Sequence, residues 1–214
     1  MEQLLNYFLA TFSALFFTID CLGITPIFIS LTANSSSLYK RKMAKKGTLT
    51  AFIILFFFAI TGSMLLDAFG ISLPAFRIAG GILLLLLSLE MVLANPNPPI
   101  KSENDEERKE SAKRNDISVF PIAIPLLSGP AAITLLILFM KQAQDAISKQ
   151  FLIILALTLN MIICWFVLIF AAQISKFLGK TGINVISRIF GILLTALACQ
   201  FFIDGVVEAF HLHF

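Results

Sequence analysis

Six long runs of apolar residues, separated by short polar segments, make up most of this chain. The runs cover residues 4–31, 47–66, 71–93, 117–140, 151–175 and 189–210. A helix needs about 20 apolar residues to cross the hydrocarbon core of a bilayer, so each run predicts one transmembrane helix. The pattern therefore predicts an all-α polytopic membrane protein with six spans.

The composition agrees with this pattern and excludes a soluble class. Hydrophobic residues make up 58% of the chain and charged residues only 14%, whereas a soluble domain has about a quarter of its residues charged. The net charge of +3 comes from basic residues beside apolar runs, so it does not indicate a nucleic-acid partner. We expect the lipid bilayer of the cell (inner or plasma) membrane as the surroundings.

The basic residues predict an orientation. Of the 16 Lys and Arg residues, 13 fall in alternate connections between the predicted spans. Positive residues are enriched in cytoplasmic loops, so those connections are expected in the cytoplasm and both termini outside it. The 13 residues are Lys40, Arg41, Lys42, Lys45, Lys46, Lys101, Arg108, Lys109, Lys113, Arg114, Lys176, Lys180 and Arg188.

A linker divides the chain into two halves of three spans. Residues 95–116 are rich in proline and then dense in charges of both signs. Such a segment cannot bury a core and predicts a flexible cytoplasmic linker. The predicted organisation is a first three-helix repeat at residues 1–94, the linker, and a second repeat at residues 117–214.

The two halves carry matching sequences. Arg77-Ile-Ala-Gly80 in span three corresponds to Arg188-Ile-Phe-Gly191 in span six. Helix breakers also recur in spans one and four. Because each half has an odd number of spans, the second must be upside down relative to the first, which is the 3+3 inverted-repeat plan of many secondary transporters.

Span one contains an acid and two helix breakers. Asp20 lies near its middle and is followed by Gly23 and Pro26. Ionisable groups inside a membrane usually face a cavity or a partner, and a broken helix is tolerated there only against protein or water. We predict a break at Gly23–Pro26, with Asp20 as a proton or sodium ligand. The alternative is a buried structural acid.

Further residues complete the predicted solute site. Backbone groups at the breaks in spans one and four suit a zwitterion, since helix N-termini favour carboxylates and free carbonyls favour ammonium groups. Each of these features also has a structural interpretation. The breaks can be kinks that serve only packing, the hydroxyls can bond their own helix, and Asn160 can form a helix–helix hydrogen bond. The predicted substrate-binding residues are Gly23, Thr25, Pro26, Pro125, Ser128, Gly129, Pro130, Thr134 and Asn160.

Five ordered segments resemble the MarC family of six-span bacterial and archaeal membrane proteins. They are Asp20-Cys-Leu-Gly-Ile-Thr-Pro-Ile-Phe28 and the segments at 70–81, 121–130, 181–191 and 200–205. Some members of that family are similar to transporters of small neutral amino acids, so the resemblance implies such an activity for this chain. Cys21, Ile24 and Ala131 depart from the family pattern, which has Pro, often Asn, and often Gly there. The missing Asn removes a polar side chain from the proposed site.

The functional prediction is a secondary transporter of a small polar solute, by alternating access. No nucleotide-binding P-loop is present, so a proton or sodium gradient or plain exchange must drive it. We expect no enzymatic activity and no other cofactor, and a homo-oligomer is compatible with the sequence. The alternatives are a non-transporting membrane partner or stability protein and, disfavoured because span four has no cysteine, a thiol oxidoreductase using Cys21. Cys21, Cys164 and Cys199 are interpreted as buried small hydrophobes.

Overall fold

Seven helices make up the part of the chain that the structure describes. The computed structural model describes residues 2–32, 35–93 and 127–210, and no strand occurs among them. The helices are α1 Glu2–Ile19, α2 Cys21–Leu31, α3 Ser37–Ala68, α4 Leu73–Leu93, α5 Pro130–Gln142, α6 Ile147–Ile169 and α7 Ala171–Ala209. The predicted all-α class is therefore confirmed.

Five stretches of helix are long and apolar enough to cross a membrane. They are Glu2–Ile29, Ser37–Ala68, Leu73–Leu93, Ile147–Ile169 and Thr181–Ala209. Helix α5 is apolar but has only 13 residues, fewer than the roughly 20 that a span requires. The predicted fourth span, 117–140, is described only from residue 127, and the predicted linker 95–116 lies outside the described residues. The multi-pass membrane architecture is confirmed, while the count of six spans stays a prediction.

Two of the three predicted loops that carry basic residues, those that include residues 40–46 and 176–188, are largely helical where the structure describes them. Helix α3 begins at Ser37, where the Ser36 hydroxyl accepts a hydrogen bond from the Tyr39 N–H at 3.3 Å, so Lys40–Lys46 lie on its first turns. Helix α7 likewise runs from Ala171 and departs from helical geometry only at Gly179, with φ 64°. Hydropathy detects only the apolar part of a helix, whereas Lys and Arg are good helix formers that extend it into the interface.

Helices α4 and α7 form the closest pair and run antiparallel. A Cβ added to Gly81 would lie 2.8 Å from the Ala198 carbonyl oxygen, and one added to Gly205 would lie 2.9 Å from the Pro74 oxygen. Arg77, at the start of α4, forms an ion pair with Glu208 at the end of α7. Small residues let the two backbones approach closely, which is a common way for membrane helices to associate.

The other contacts fix the directions of α1, α3, α5 and α6. The Lys149 ammonium lies 5.4 Å from the ring centre of Tyr7 near the first residues of α6 and α1, so these helices run parallel. Lys141 at the end of α5 pairs with Asp67 at the end of α3, with Nζ 2.8 Å from Oδ1. Helices α3 and α5 are therefore also parallel, and α5 has the direction expected of the end of a fourth span.

The core joins helices from both halves of the chain. Leu15, Ile24, Leu55, Leu135 and Leu157 are fully buried in one cluster to which α1, α2, α3, α5 and α6 contribute. Large apolar side chains also cover the outside of the bundle, among them Phe57, Ile60, Leu155, Ile192 and Ile203. An apolar outer surface is what a bilayer solvates, so the bundle has a lipid-facing exterior.

Candidate functional site

The first span is broken at Asp20. Its φ of 45° places it in the left-handed region between α1 and α2, where Asp is tolerated better than most residues. The Asp20 N–H donates to the Phe16 carbonyl at 3.1 Å, and its own carbonyl accepts from the Ile24 N–H at 3.2 Å. The bend therefore leaves both backbone groups of Asp20 bonded, and the side chain is 2% exposed.

The Asp20 carboxylate starts α2. Its Oδ1 accepts a hydrogen bond from the Gly23 N–H at 3.0 Å, the geometry of an N-terminal helix cap. A Cβ on Gly23 would lie 2.0 Å from Asp20 Oδ2, so the carboxylate occupies the place of a side chain. Pro26 lies inside α2. The predicted break at Gly23–Pro26 is thus wrong in position, because the capping acid, and not the proline, interrupts the helix.

Two of the predicted hydroxyl ligands have packing roles. The buried Thr25 hydroxyl donates to the Cys21 carbonyl at 3.1 Å within its own helix, as the alternative interpretation held. The buried Thr134 turns its methyl group toward α4, where a Cβ added to Gly80 would meet it at 2.6 Å. The Thr25 hydroxyl is therefore bonded within the protein, while the proposed role of both residues in solute binding stays a prediction.

Helix α5 begins at the second predicted break. Gly129 precedes the helix with φ −67° and ψ 165°, no side chain caps it, and Pro130 is its first residue. Ser128 is buried, Gly129 is half-buried and Pro130 is exposed. The first N–H groups of α5 belong to the buried Ala131 and Ala132, because proline has none. Pro125, the remaining predicted residue of this break, lies outside the described residues.

The two breaks open into one core. Helix α1, which ends before Asp20, contacts α5, which begins after Gly129. Ile19, Leu127 and Ala131, beside the breaks, belong to the same buried cluster. Residues next to both breaks therefore contribute to the same bundle core.

Asn160 approaches the first half from α6. Its Nδ2 donates to the Phe12 carbonyl of α1 at 3.2 Å and to the Ala156 carbonyl of its own helix at 2.9 Å. Its Oδ1 is buried and has no hydrogen-bond partner among the described residues. The predicted helix–helix hydrogen bond from Asn160 is therefore present. The oxygen of the same amide, Oδ1, still has the capacity to accept a hydrogen bond.

Sequence reasoning missed the part played by Cys164. Its buried thiol lies close to that of Cys21 and near the Asp20 carboxylate. Cys164 follows Asn160 by four residues, so both lie on the same face of α6, and that spacing was the available signal. Cys21 and Cys164 are buried as predicted, but Cys199 is exposed, so the prediction of burial is wrong for that residue.

The described residues contain no group of three or more His, Cys, Asp or Glu placed to hold a metal ion. The polar groups described above are the Asp20 carboxylate, the unbonded amide oxygen of Asn160 and the N-terminus of α5. A carboxylate attracts a cation or an ammonium group, while helix N–H groups attract an anion. The two kinds of group thus differ in the sign of the charge that they attract.

The comparisons with known proteins agree on a single family. The sequence profile described as "MarC family integral membrane protein" matches residues 5–210. The chain is 39% identical to a UPF0056 membrane protein of Archaeoglobus fulgidus, over 95% of this chain and 94% of that protein. It is 36% identical to the UPF0056 membrane protein YhcE of Escherichia coli, over 93% of this chain and 91% of that protein. No solved structure matches it. The chain belongs to the MarC family of integral membrane proteins.

Proposed function

We propose that this protein is a secondary transporter of a small polar solute, with small neutral amino acids as the expected class. The observation that carries the proposal is Asp20, a buried carboxylate at a left-handed break inside a membrane-spanning helix. Residues in uncommon backbone regions concentrate at functional sites, and intramembrane acids mark ion and substrate pathways. Asp20 binds the coupling proton or sodium ion, or the ammonium group of the solute itself.

The polar groups near the breaks complement a zwitterion. The start of α5 offers N–H groups to a carboxylate, and Asn160 Oδ1 offers an acceptor to an ammonium group. Asp20 and Asn160 are each 2% exposed and Ser128 is 3% exposed. Such burial fits an occluded state, in which neither side of the membrane reaches the solute. Alternating access then requires the helices of the two halves to separate on one side at a time.

The α4–α7 pair supports an inverted repeat, and with it six spans. Aligning Arg77 with Arg188 also aligns Gly80 with Gly191 and Met91 with Phe202. A Cβ added to Gly81 would meet Phe202 N at 2.9 Å, and one added to Gly191 would meet Met91 Cβ at 2.9 Å. Gly191 thus meets Met91, while Phe202 meets Gly81, one position beyond the glycine aligned with Gly191, so the two-fold relation of the helices holds to within one residue.

The thiol oxidoreductase alternative gains one observation, the contact between Cys21 and Cys164. Thiol–disulfide exchange proceeds through a mixed disulfide and needs an accessible sulfur, whereas these side chains are 3% and 0% exposed. The pair therefore fits packing better than electron transfer. We propose that the protein has no catalytic activity and needs no cofactor beyond the coupling ion.

Counterflow in liposomes tests the proposal. Vesicles containing the purified protein are loaded with unlabelled alanine, serine or glycine and diluted into the labelled amino acid. We expect transient accumulation of label, which Gly129→Leu abolishes because it places a large side chain beside the first N–H groups of α5. Ala79→Leu adds similar bulk at an exposed position of α4 and should transport normally.

A protein that shows no counterflow with any small polar solute would instead be the non-transporting membrane partner. Repeating the assay with an imposed sodium gradient or pH gradient identifies the coupling ion. Accumulation that depends on neither gradient indicates plain exchange.

A further inference from the structure

A groove on the outside of the bundle runs between α3 and α6, away from the proposed transport site. Its inner part has a volume of about 250 Å³ and is lined mainly by apolar side chains, including Leu49, Phe52, Met161 and Ile162. A second part of about 550 Å³ continues toward the start of α3 and adds Arg41 and Lys42. Lys45 and Trp165 line both parts, so the groove passes from apolar to basic along its length.

Three positively charged side chains lie at the basic end of the groove. Arg41, Lys42 and Lys45 are exposed, and none of them pairs with a carboxylate in the described part of the chain. Arg41 and Lys45 are four residues apart on α3 and thus share a face of the helix. Three positive side chains at one end of a membrane groove attract an anion.

Trp165 supplies a second, independent indication. Its indole nitrogen is buried, and it has no hydrogen-bond partner among the described residues. The indole N–H can only donate, and a buried donor without an acceptor is destabilising. Because this nitrogen is closed off from solvent, an oxygen atom of a ligand at the junction between the basic and apolar parts satisfies it once the neighbouring side chains shift.

We propose that this groove binds an anionic glycerophospholipid. The phosphate oxygens contact Arg41, Lys42 and Lys45, an ester or phosphate oxygen accepts the Trp165 N–H, and one acyl chain lies between Leu49 and Ile162. Basic pockets between membrane helices bind anionic headgroups in this way. Leu49 is 51% exposed and Ile162 is 43% exposed, so the chain enters sideways from the bilayer. The start of α3 is on the predicted cytoplasmic side, where anionic lipids are enriched.

The fluorescence of Trp165 can test this directly, because it is the single tryptophan of the chain. The full-length protein is placed in nanodiscs of unlabelled phosphatidylcholine with increasing fractions of brominated phosphatidylglycerol or brominated phosphatidylcholine, whose bromine quenches on contact. We expect half-maximal quenching at a fraction of phosphatidylglycerol that is lower by about 100-fold, the product of three contributions of about fivefold. Each basic residue contributes about fivefold to that preference, the equivalent of about 1 kcal/mol per Lys or Arg.

The triple variant Arg41→Gln/Lys42→Gln/Lys45→Gln should give the same quenching curve for both lipids. The variant Lys40→Gln/Lys176→Gln/Arg188→Gln removes the same charge from positions outside the groove and should keep the preference. If the first variant does not fold, Lys45→Gln alone should lower the preference about fivefold. Equal quenching of the wild type by both lipids, or a preference that survives the groove substitutions, overturns the proposal. Quenching by neither lipid would place a protein segment in the groove and overturn it as well.

Discussion

The carboxylate of Asp20 lies over the α-carbon of Gly23, so closely that a methyl group there would be 2.0 Å from Oδ2. The two residues define one unit, because Asp20 turns the chain and Gly23 provides both the N–H it binds and the space it fills. This unit is rigid, buried and negatively charged when ionised. It converts an interrupted apolar run into a fixed carboxylate inside the bundle.

Asp20→Asn should abolish ion-coupled transport while the folded protein remains in the membrane. Asn tolerates the left-handed backbone, and its side-chain oxygen can still accept the Gly23 N–H, but it carries no charge and binds no proton. Transport is measured in liposomes and the thermal midpoint in detergent. We expect a midpoint close to that of the wild type. Wild-type transport with unchanged pH dependence would show that Asp20 is structural.

Asp20→Ala serves as the matched comparison for that variant. It also removes the charge, but it loses the cap, at a cost of about 1 kcal/mol, and it places alanine in a region that alanine avoids. The thermal midpoint should fall below that of Asp20→Asn. Equal midpoints would show that the cap contributes nothing to stability.

Gly23→Ala should destabilise the protein, because the new methyl group must displace the Asp20 carboxylate. Overpacking costs about 1–3 kcal/mol, which exceeds the gain of about 1 kcal/mol in helix propensity. Gly182→Ala is the control, since its Cβ would come no closer than 3.2 Å to Leu178. In an Asp20→Gly background the cost of Gly23→Ala should fall by more than about 0.5 kcal/mol, the coupling expected of residues in contact. A cost that is the same in both backgrounds would contradict the contact.

Gly81→Ala should separate α4 from α7. The added Cβ would lie 2.8 Å from a backbone oxygen of Ala198 and 2.9 Å from a backbone nitrogen of Phe202, and backbone atoms cannot rotate away. We expect a lower thermal midpoint, with a loss of about 1–3 kcal/mol. Ala79→Val, which adds bulk at an exposed position of the same helix, should leave the midpoint unchanged. Equal effects of the two substitutions would argue against the close helix pair.

The three cysteines should differ in their reaction with thiol reagents. With an apolar maleimide that partitions into the detergent, we expect faster labelling of Cys199, on the outside of the bundle, than of Cys21 and Cys164, which are buried. Mass spectrometry counts the labels, and Cys199→Ser should remove the fast reaction. Unfolding in dodecyl sulfate should release all three thiols. Labelling of Cys21 or Cys164 at the rate of Cys199 would revive the oxidoreductase alternative.

Both termini should lie outside the cytoplasm. The reason is the concentration of Lys and Arg near one end of the helices, including those on the first turns of α3. A C-terminal alkaline phosphatase fusion should be active and a fluorescent-protein fusion dark. The same reporters inserted in residues 95–116 should give the opposite result. A fluorescent C-terminal fusion would reverse the predicted orientation.

The apolar runs determined the class of this protein without its structure. In hydrocarbon every backbone N–H and C=O group needs a partner, and a helix is the local structure that provides one. The span predicted at 71–93 was therefore placed within two residues of α4, and the span predicted at 151–175 within six residues of α6. Helix ends were less accurate, because Lys40–Lys46 continue the helical backbone of α3 beyond the apolar stretch. The family also followed from local motifs, which do not depend on how the helices pack.

Tertiary structure decided which of the candidate residues can act together. The sequence indicated Asp20, Gly23 and Pro26 as one broken segment, but only the backbone conformation shows that the acid makes the break and the proline remains helical. The pairing of Cys21 with Cys164 joins residues far apart in sequence. The groove between Lys45 and Trp165 likewise joins residues that are far apart in sequence. Such contacts arise from the packing of one helix on another, and the periodicity within each helix carries no information about which partner it meets.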